Sequence, residues 1–142
     1  MFSIVRRGML KDMTTTTTAR GDLRAYEKSV RLGVTELVDE LRELLGARLV
    51  AYVGSVGETR AVRQWAAGER EPSDAVMRRL RLAYRAAATI TVKDAPEVAQ
   101  AWFQGANPHL DEVAPARLLR EGDLDEAGPA VLAAAKAFAA GG

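Results

Sequence analysis

The apolar residues of this 142-residue chain recur three and four apart in short blocks, and glycines or prolines punctuate the blocks. Val30, Val34, Leu37, Val38, Leu41, Leu44 and Leu45 form the longest stripe, which begins after Tyr26 and stops at Gly46. This is the period of a helix with one buried face. No stretch alternates apolar and polar residues in twos for long enough to make a strand, so the chain is predicted to be all-α. Composition agrees, because an alanine- and arginine-rich chain with 48% apolar and only 6% aromatic residues favours helix over sheet.

The remaining blocks are short. Leu49, Val50 and Val53 make one brief face that Gly54 and Gly57 interrupt, and Val62 with Trp65 makes another that Gly68 closes. Pro72 and Ser73 open a longer helix, with Ser73 as N-cap and Asp74 complementing the dipole in the first turn. It is predicted to run to about Val92, with Val76 or Met77, Leu80, Tyr84 and Ala87 inward and Arg78, Arg81 and Arg85 aligned on the other side. A short helix after Ala95-Pro96 ends near Trp102. In the stretch AWFQGANPHLDEVAPARLLREGD, residues 101–123, Pro108 and Pro115 forbid a continuous helix. Asn107-Pro108 predicts a turn, and Pro115 a short helix ending at Gly122. Val131, Leu132, Ala135, Phe138 and Ala139 stripe a final alanine-rich helix. Such a helix buries little area per turn, so it is expected to be a slim arm that enters a partner's cleft. Loss of residues from about Gly128 onward should then leave a folded protein. The alternative is that Val131, Leu132 and Phe138 are core.

Charge divides the chain. Residues 1–33 carry seven basic side chains against three acidic ones, 34–92 nine against eight, and 93–142 four against eight. A basic front and an acidic back suggest two kinds of partner. Residues 1–20, with the run Thr14 to Thr18 and Met13 as a second candidate start, read as a disordered tail. The domains expected are 21–92 and 93–142. The absence of any run of about eighteen apolar residues speaks against a membrane span, the opening residues do not suit a secretory signal, and with no cysteine a cytoplasmic location is expected. His109 is the single histidine and has no neighbouring nucleophile or ligand cluster. With no glycine-rich phosphate loop either, no enzymatic activity, metal or cofactor is expected.

Two short helices joined by a glycine-containing turn, the second with exposed arginines, fit a helix-turn-helix. The stretch GSVGETRAVRQWAAGEREPS resembles the second half of an Xre-type, Cro/repressor-like helix-turn-helix through Val62, Trp65, Gly68, Pro72 and Ser73. By this resemblance Thr59, Arg60, Arg63 and Gln64 face the DNA groove, where such side chains can bond guanine, adenine or phosphate. Glu58, Glu69 and Glu71 dilute the field, so DNA binding either needs a dimer or has been lost. The apolar face from Val30 to Leu45 exceeds what the short following helices can cover, and a homodimer is expected. The later segment is similar to the C-terminal toxin-binding domain of the Xre/MbcA/ParS antitoxins through Trp102, Asn107, Pro108, Leu110, Pro115, Leu118, Leu119 and Gly122. It departs from that pattern at Asp111-Glu112, where a glycine is usual, and in a longer LDEAGP stretch before the last helix.

The resemblance implies an antitoxin of a type II toxin-antitoxin system, which blocks a RES-domain toxin that consumes nicotinamide adenine dinucleotide and represses its own operon. It offers Asn107, His109, Arg117, Arg120, Lys136 and Phe138 as toxin-binding candidates. The acidic balance of residues 93–142 suits a toxin pocket built for a pyrophosphate cofactor. A stand-alone DNA-binding transcriptional regulator with a C-terminal dimerisation domain is the other reading.

Overall fold

The computed structural model describes residues 21–27 and 33–141, and among these every regular element is helical. Residues 21–27 are helical and precede α1 (Val34–Leu45), α2 (Ala47–Val53), α3 (Thr59–Ala66), α4 (Asp74–Thr91), α5 (Pro96–Gln104), a 3-10 turn (Pro108–Leu110), α6 (Pro115–Glu121) and α7 (Leu124–Ala139). The predicted tail over 1–20 and Val30 of the first stripe lie outside the described residues. No helix among the described residues is long and apolar enough to cross a membrane.

Local chemistry explains most boundaries. The stripe around Leu37 becomes a helix only from Val34, because Gly33 is extended (φ −71°, ψ 174°) and serves as its N-cap. Gly46, at φ 84°, ends it in the left-handed region, where the missing Cβ removes the clash. Ser73 caps α4 by accepting the Val76 N–H at 3.2 Å, and Pro96 and Pro115 stand in the first turns of α5 and α6, where a missing N–H costs nothing. The last helix begins at Leu124, capped by Asp123, so the LDEAGP stretch is helix. Pro129 lies inside it on the exposed side, where water can serve the carbonyl that the proline leaves unbonded.

α4 is the central element. It packs against α1, α2, α5, α6 and α7, while α3 sits on α1 and α2. One continuous cluster of buried side chains runs from Leu37, Val38 and Leu41 of α1 through Val62 and Trp65 of α3 and Leu80, Tyr84 and Ile90 of α4. It continues to Phe103 of α5, Leu119 of α6 and Val131 of α7. The core therefore crosses the expected boundary at residue 92. Polar links cross it too: Gln100 Nε2 donates to the Leu44 carbonyl at 3.1 Å, and Arg78 pairs with Asp125.

Two expectations change. The apolar face of α1 is covered within the chain, with Leu37, Val38, Leu41 and Leu45 buried and Val34 and Leu44 packed against the cluster. Among the described residues this face therefore does not itself argue for a homodimer. The terminal helix is likewise no free arm. Ala127, Gly128, Val131, Ala134, Ala135 and Ala139 are buried, and a Cβ on Gly128 would meet the Leu82 methyls at 3.1 and 3.2 Å. Gly128 of α7 meets Leu82 of α4 and the buried residues of α7 are mostly alanine, so the slimness of α7 lets the two helices pack closely, where dispersion contacts are dense. Lys93 Nζ closes the far end by donating to the Ala139 carbonyl at 3.1 Å.

Deleting residues 128–142 is accordingly expected to abolish the cooperative thermal transition followed by circular dichroism; a truncated protein that melts near the full-length temperature would contradict this packing. A second outcome concerns Tyr84, whose hydroxyl donates to Glu40 Oε1 at 3.2 Å. Burial, then the charge and hydrogen bond of Glu40, push it from its ordinary 10.0 up to about 12. The folded state thus holds this proton more tightly than the unfolded one, so the stabilisation is complete below pH 10 and is lost as pH rises toward 12. Tyr84→Phe should lose less stability than the parent between pH 10 and 12 in urea titrations, and an equal loss would mean that this hydroxyl is not responsible.

Candidate nucleic-acid interface

α2 and α3 are joined by residues 54–58, and the conformation of that turn sets where α3 points. The Val56 N–H reaches back to the Ala51 carbonyl and the Ser55 N–H to the Tyr52 carbonyl, both at 3.0 Å, a Schellman closure of α2. Its left-handed residue is Ser55, at φ 62°, rather than either neighbouring glycine. Gly54 serves a different need: a Cβ there would lie 3.1 Å from the Trp65 ring and 3.2 Å from the Val50 carbonyl. A Cβ on Gly57 would meet nothing within 4 Å. The end of α3 repeats the closure, with the Glu69 N–H on the Gln64 carbonyl at 2.9 Å and the Gly68 N–H on the Trp65 carbonyl at 3.2 Å. Here a glycine does take the left-handed position, at φ 75°.

Between these closures α3 divides cleanly. Ala61, Val62 and Trp65 are buried, while Thr59, Arg60 and Arg63 are exposed and Gln64 is half-buried. The structure thus brings the four DNA-facing candidates onto one short helix away from the core. Arg70, which the sequence reading did not select, joins them: with Val56, Glu58, Arg60 and Gln64 it lines a shallow concavity of about 330 Å³. The only sequence signal for it was Gly68, whose left-handed turn folds the following residues back. Among the described residues no ion pair engages Arg60, Arg63 or Arg70. Glu58, Glu69 and Glu71 are exposed around them, so the local field is close to neutral. Such a surface offers hydrogen-bond donors in a fixed geometry rather than a strong long-range field.

The six toxin-binding candidates do not form one exposed set. Asn107 is only 6% exposed; its Oδ1 accepts the His109 N–H at 2.9 Å, and its carbonyl accepts from Leu110 and Glu112, so it builds the 3-10 turn. Phe138 is half-buried, 6.4 Å from the Trp102 ring. Arg120 is folded onto α2, where Nη1 donates to the Tyr52 carbonyl at 2.8 Å and the guanidinium lies 4.6 Å from the Tyr52 ring centroid. His109, Arg117 and Lys136 are exposed, with Arg117 paired to Glu121 at 3.2 Å. Of the family-pattern residues, Trp102, Leu110 and Leu119 are buried and Leu118 packs against the same cluster. Asp111 and Glu112 both take left-handed φ, 53° and 66°, where the pattern has its glycine.

No protein-family model matches the chain, and no curated protein or solved structure matches it either.

The turn geometry has a direct check. Ser55→Gly should stabilise the protein by about 1 kcal/mol by relieving the left-handed strain, a rise of roughly 3 °C in melting temperature, whereas Gly54→Ala should lower it. The opposite order in a thermal melt would mean that the turn is wrongly described.

Proposed function

We propose that the chain is a sequence-specific DNA-binding protein in which α2, the turn and α3 act as a helix-turn-helix, and that it is the antitoxin of a type II toxin-antitoxin pair. The observation that carries the DNA reading is the face of α3. Arg60 and Arg63 stand exposed and unpaired beside Thr59 and Gln64, on a helix anchored from behind by Val62 and Trp65. A short helix held at both ends and rooted in the core can enter a major groove without a large ordering cost. The near-neutral surroundings imply modest affinity at physiological salt for one copy, so two copies on adjacent half-sites would be needed to occupy an operator.

The partner side of this reading rests on the resemblance of residues 101–122 to the toxin-binding domain of the Xre/MbcA/ParS antitoxins. The partner would be a RES-domain toxin that consumes nicotinamide adenine dinucleotide. His109, Arg117 and Lys136 are the candidates left exposed for it, and the acidic balance of residues 93–142 suits a basic cofactor pocket. The second reading, a stand-alone regulator, is favoured by one observation: α7 is built into the core rather than free to enter a cleft. An adjoining open reading frame with a RES signature, whose toxicity the chain suppresses on co-expression, separates the two.

Arg60→Ala/Arg63→Ala should bind a duplex from the protein's own upstream region at least tenfold more weakly in a gel shift, since each good base contact carries about 1–3 kcal/mol, with an unchanged circular dichroism spectrum. Wild-type affinity in the double variant would remove α3 from the interface.

A further inference from the structure

A second concave surface lies away from α3, where α2, α5 and α6 meet. It encloses about 450 Å³, and its lining includes Arg48, Leu49, Tyr52, Phe103, Ala116 and Arg117. The ionisable side chains with a charge at neutral pH on this lining are Arg48 and Arg117, and no carboxylate lines it, although residues 93–142 are acidic as a whole. Phe103 and Leu49 are buried at its floor. Tyr52 is 37% exposed, one of the few large apolar side chains left so among the described residues. It is held upright as a wall by Arg120, which bonds its carbonyl and stacks on its ring.

We propose that this groove docks an apolar peptide segment of a partner protein that carries carboxylates beside its apolar anchor. Arg48 is exposed and makes no ion pair among the described residues. Arg117 has only an exposed pair with Glu121, of a kind that contributes little and is easily exchanged for an incoming carboxylate. An apolar floor with two arginines at the surface is the arrangement that receives a side-chain anchor with a charged flank. A small metabolite is less suited, because tight small-molecule sites have converging buried polar groups, whereas the polar side chains of this lining, Arg48, Tyr52, Gln104 and Arg117, are all exposed. The groove is separate from α3, so docking here stands or falls independently of DNA binding.

The test is selection of a random dodecapeptide display library on the full chain, counter-selected on Arg48→Glu/Arg117→Glu, a change confined to exposed side chains and checked by circular dichroism. The expected clones combine Leu, Phe or Met with flanking Asp or Glu. A fluorescein-labelled synthetic copy of one should bind the parent, with at least tenfold weaker binding to the charge-reversed variant and near-parent binding to Arg48→Lys. Enrichment of basic peptides, or of none that the charge reversal affects, would overturn the proposal. So would a parent dimer in sedimentation that the reversal dissociates, since the occupant would then be a second copy of the chain.

Discussion

Close packing of α7 on α4 is the interaction on which the rest of the molecule depends. α4 is buried along most of its length by alanines and a few larger side chains, and the alanines and Gly128 of α7 meet it. Each small residue removes little area from water, but two smooth surfaces approach closely and many atom pairs reach contact distance at once. With α7 in place, α4 has α1, α5 and α6 to complete its surroundings. Without α7, Leu82 would lose the surface it packs on, and the cluster that anchors Val62 and Trp65 would lose Val131, Ala134 and Ala135.

The exposed arginine face inherits its position from that core through two short closures. α3 is only eight residues long, too short to persist alone in water, and it holds its shape because Trp65 and Val62 are locked beneath it and a Schellman turn fixes each flank. Tyr52 joins this support to the back half of the chain. Its carbonyl accepts the Ser55 N–H that closes α2 and also the Arg120 guanidinium from α6. A single peptide oxygen therefore ties the turn before α3 to the segment that resembles a toxin-binding domain. The α3 face and the helices from residue 96 onward therefore rest on one continuous core.

Much of this was legible in the residues. Gly46, Gly68, Ser73, Pro96, Pro115 and Gly122 stand at helix ends for reasons that depend only on local backbone chemistry, and the periodic apolar positions among the described residues are buried or half-buried. Three things were hidden. Ser55, Asp111 and Glu112 occupy left-handed positions without being glycine, in turns closed by backbone hydrogen bonds that no composition signal announces. Gly54 looked like a helix breaker, yet its function is to clear space for a tryptophan eleven positions later. An alanine-rich terminal helix reads the same whether it is a solvent-exposed arm or a close-packed core element, because alanine is compatible with both. Of the candidate residues, the outward placement of those on α3 was readable because a short amphipathic helix has only one outward face. Asn107, Arg120 and Phe138 were not, because a polar or aromatic side chain that serves a turn or clasps another helix carries the same letter as one that waits for a partner.

The shared core implies that α1–α4 and α5–α7 open as one cooperative unit. Native-state hydrogen exchange on the full chain tests it residue by residue. Amides in the middle of α1, α4, α5 and α7 should exchange through the same global opening, with one free energy and one denaturant dependence. A back half, residues 96–139, that opens at distinctly lower free energy while α1 and α4 remain protected would contradict it.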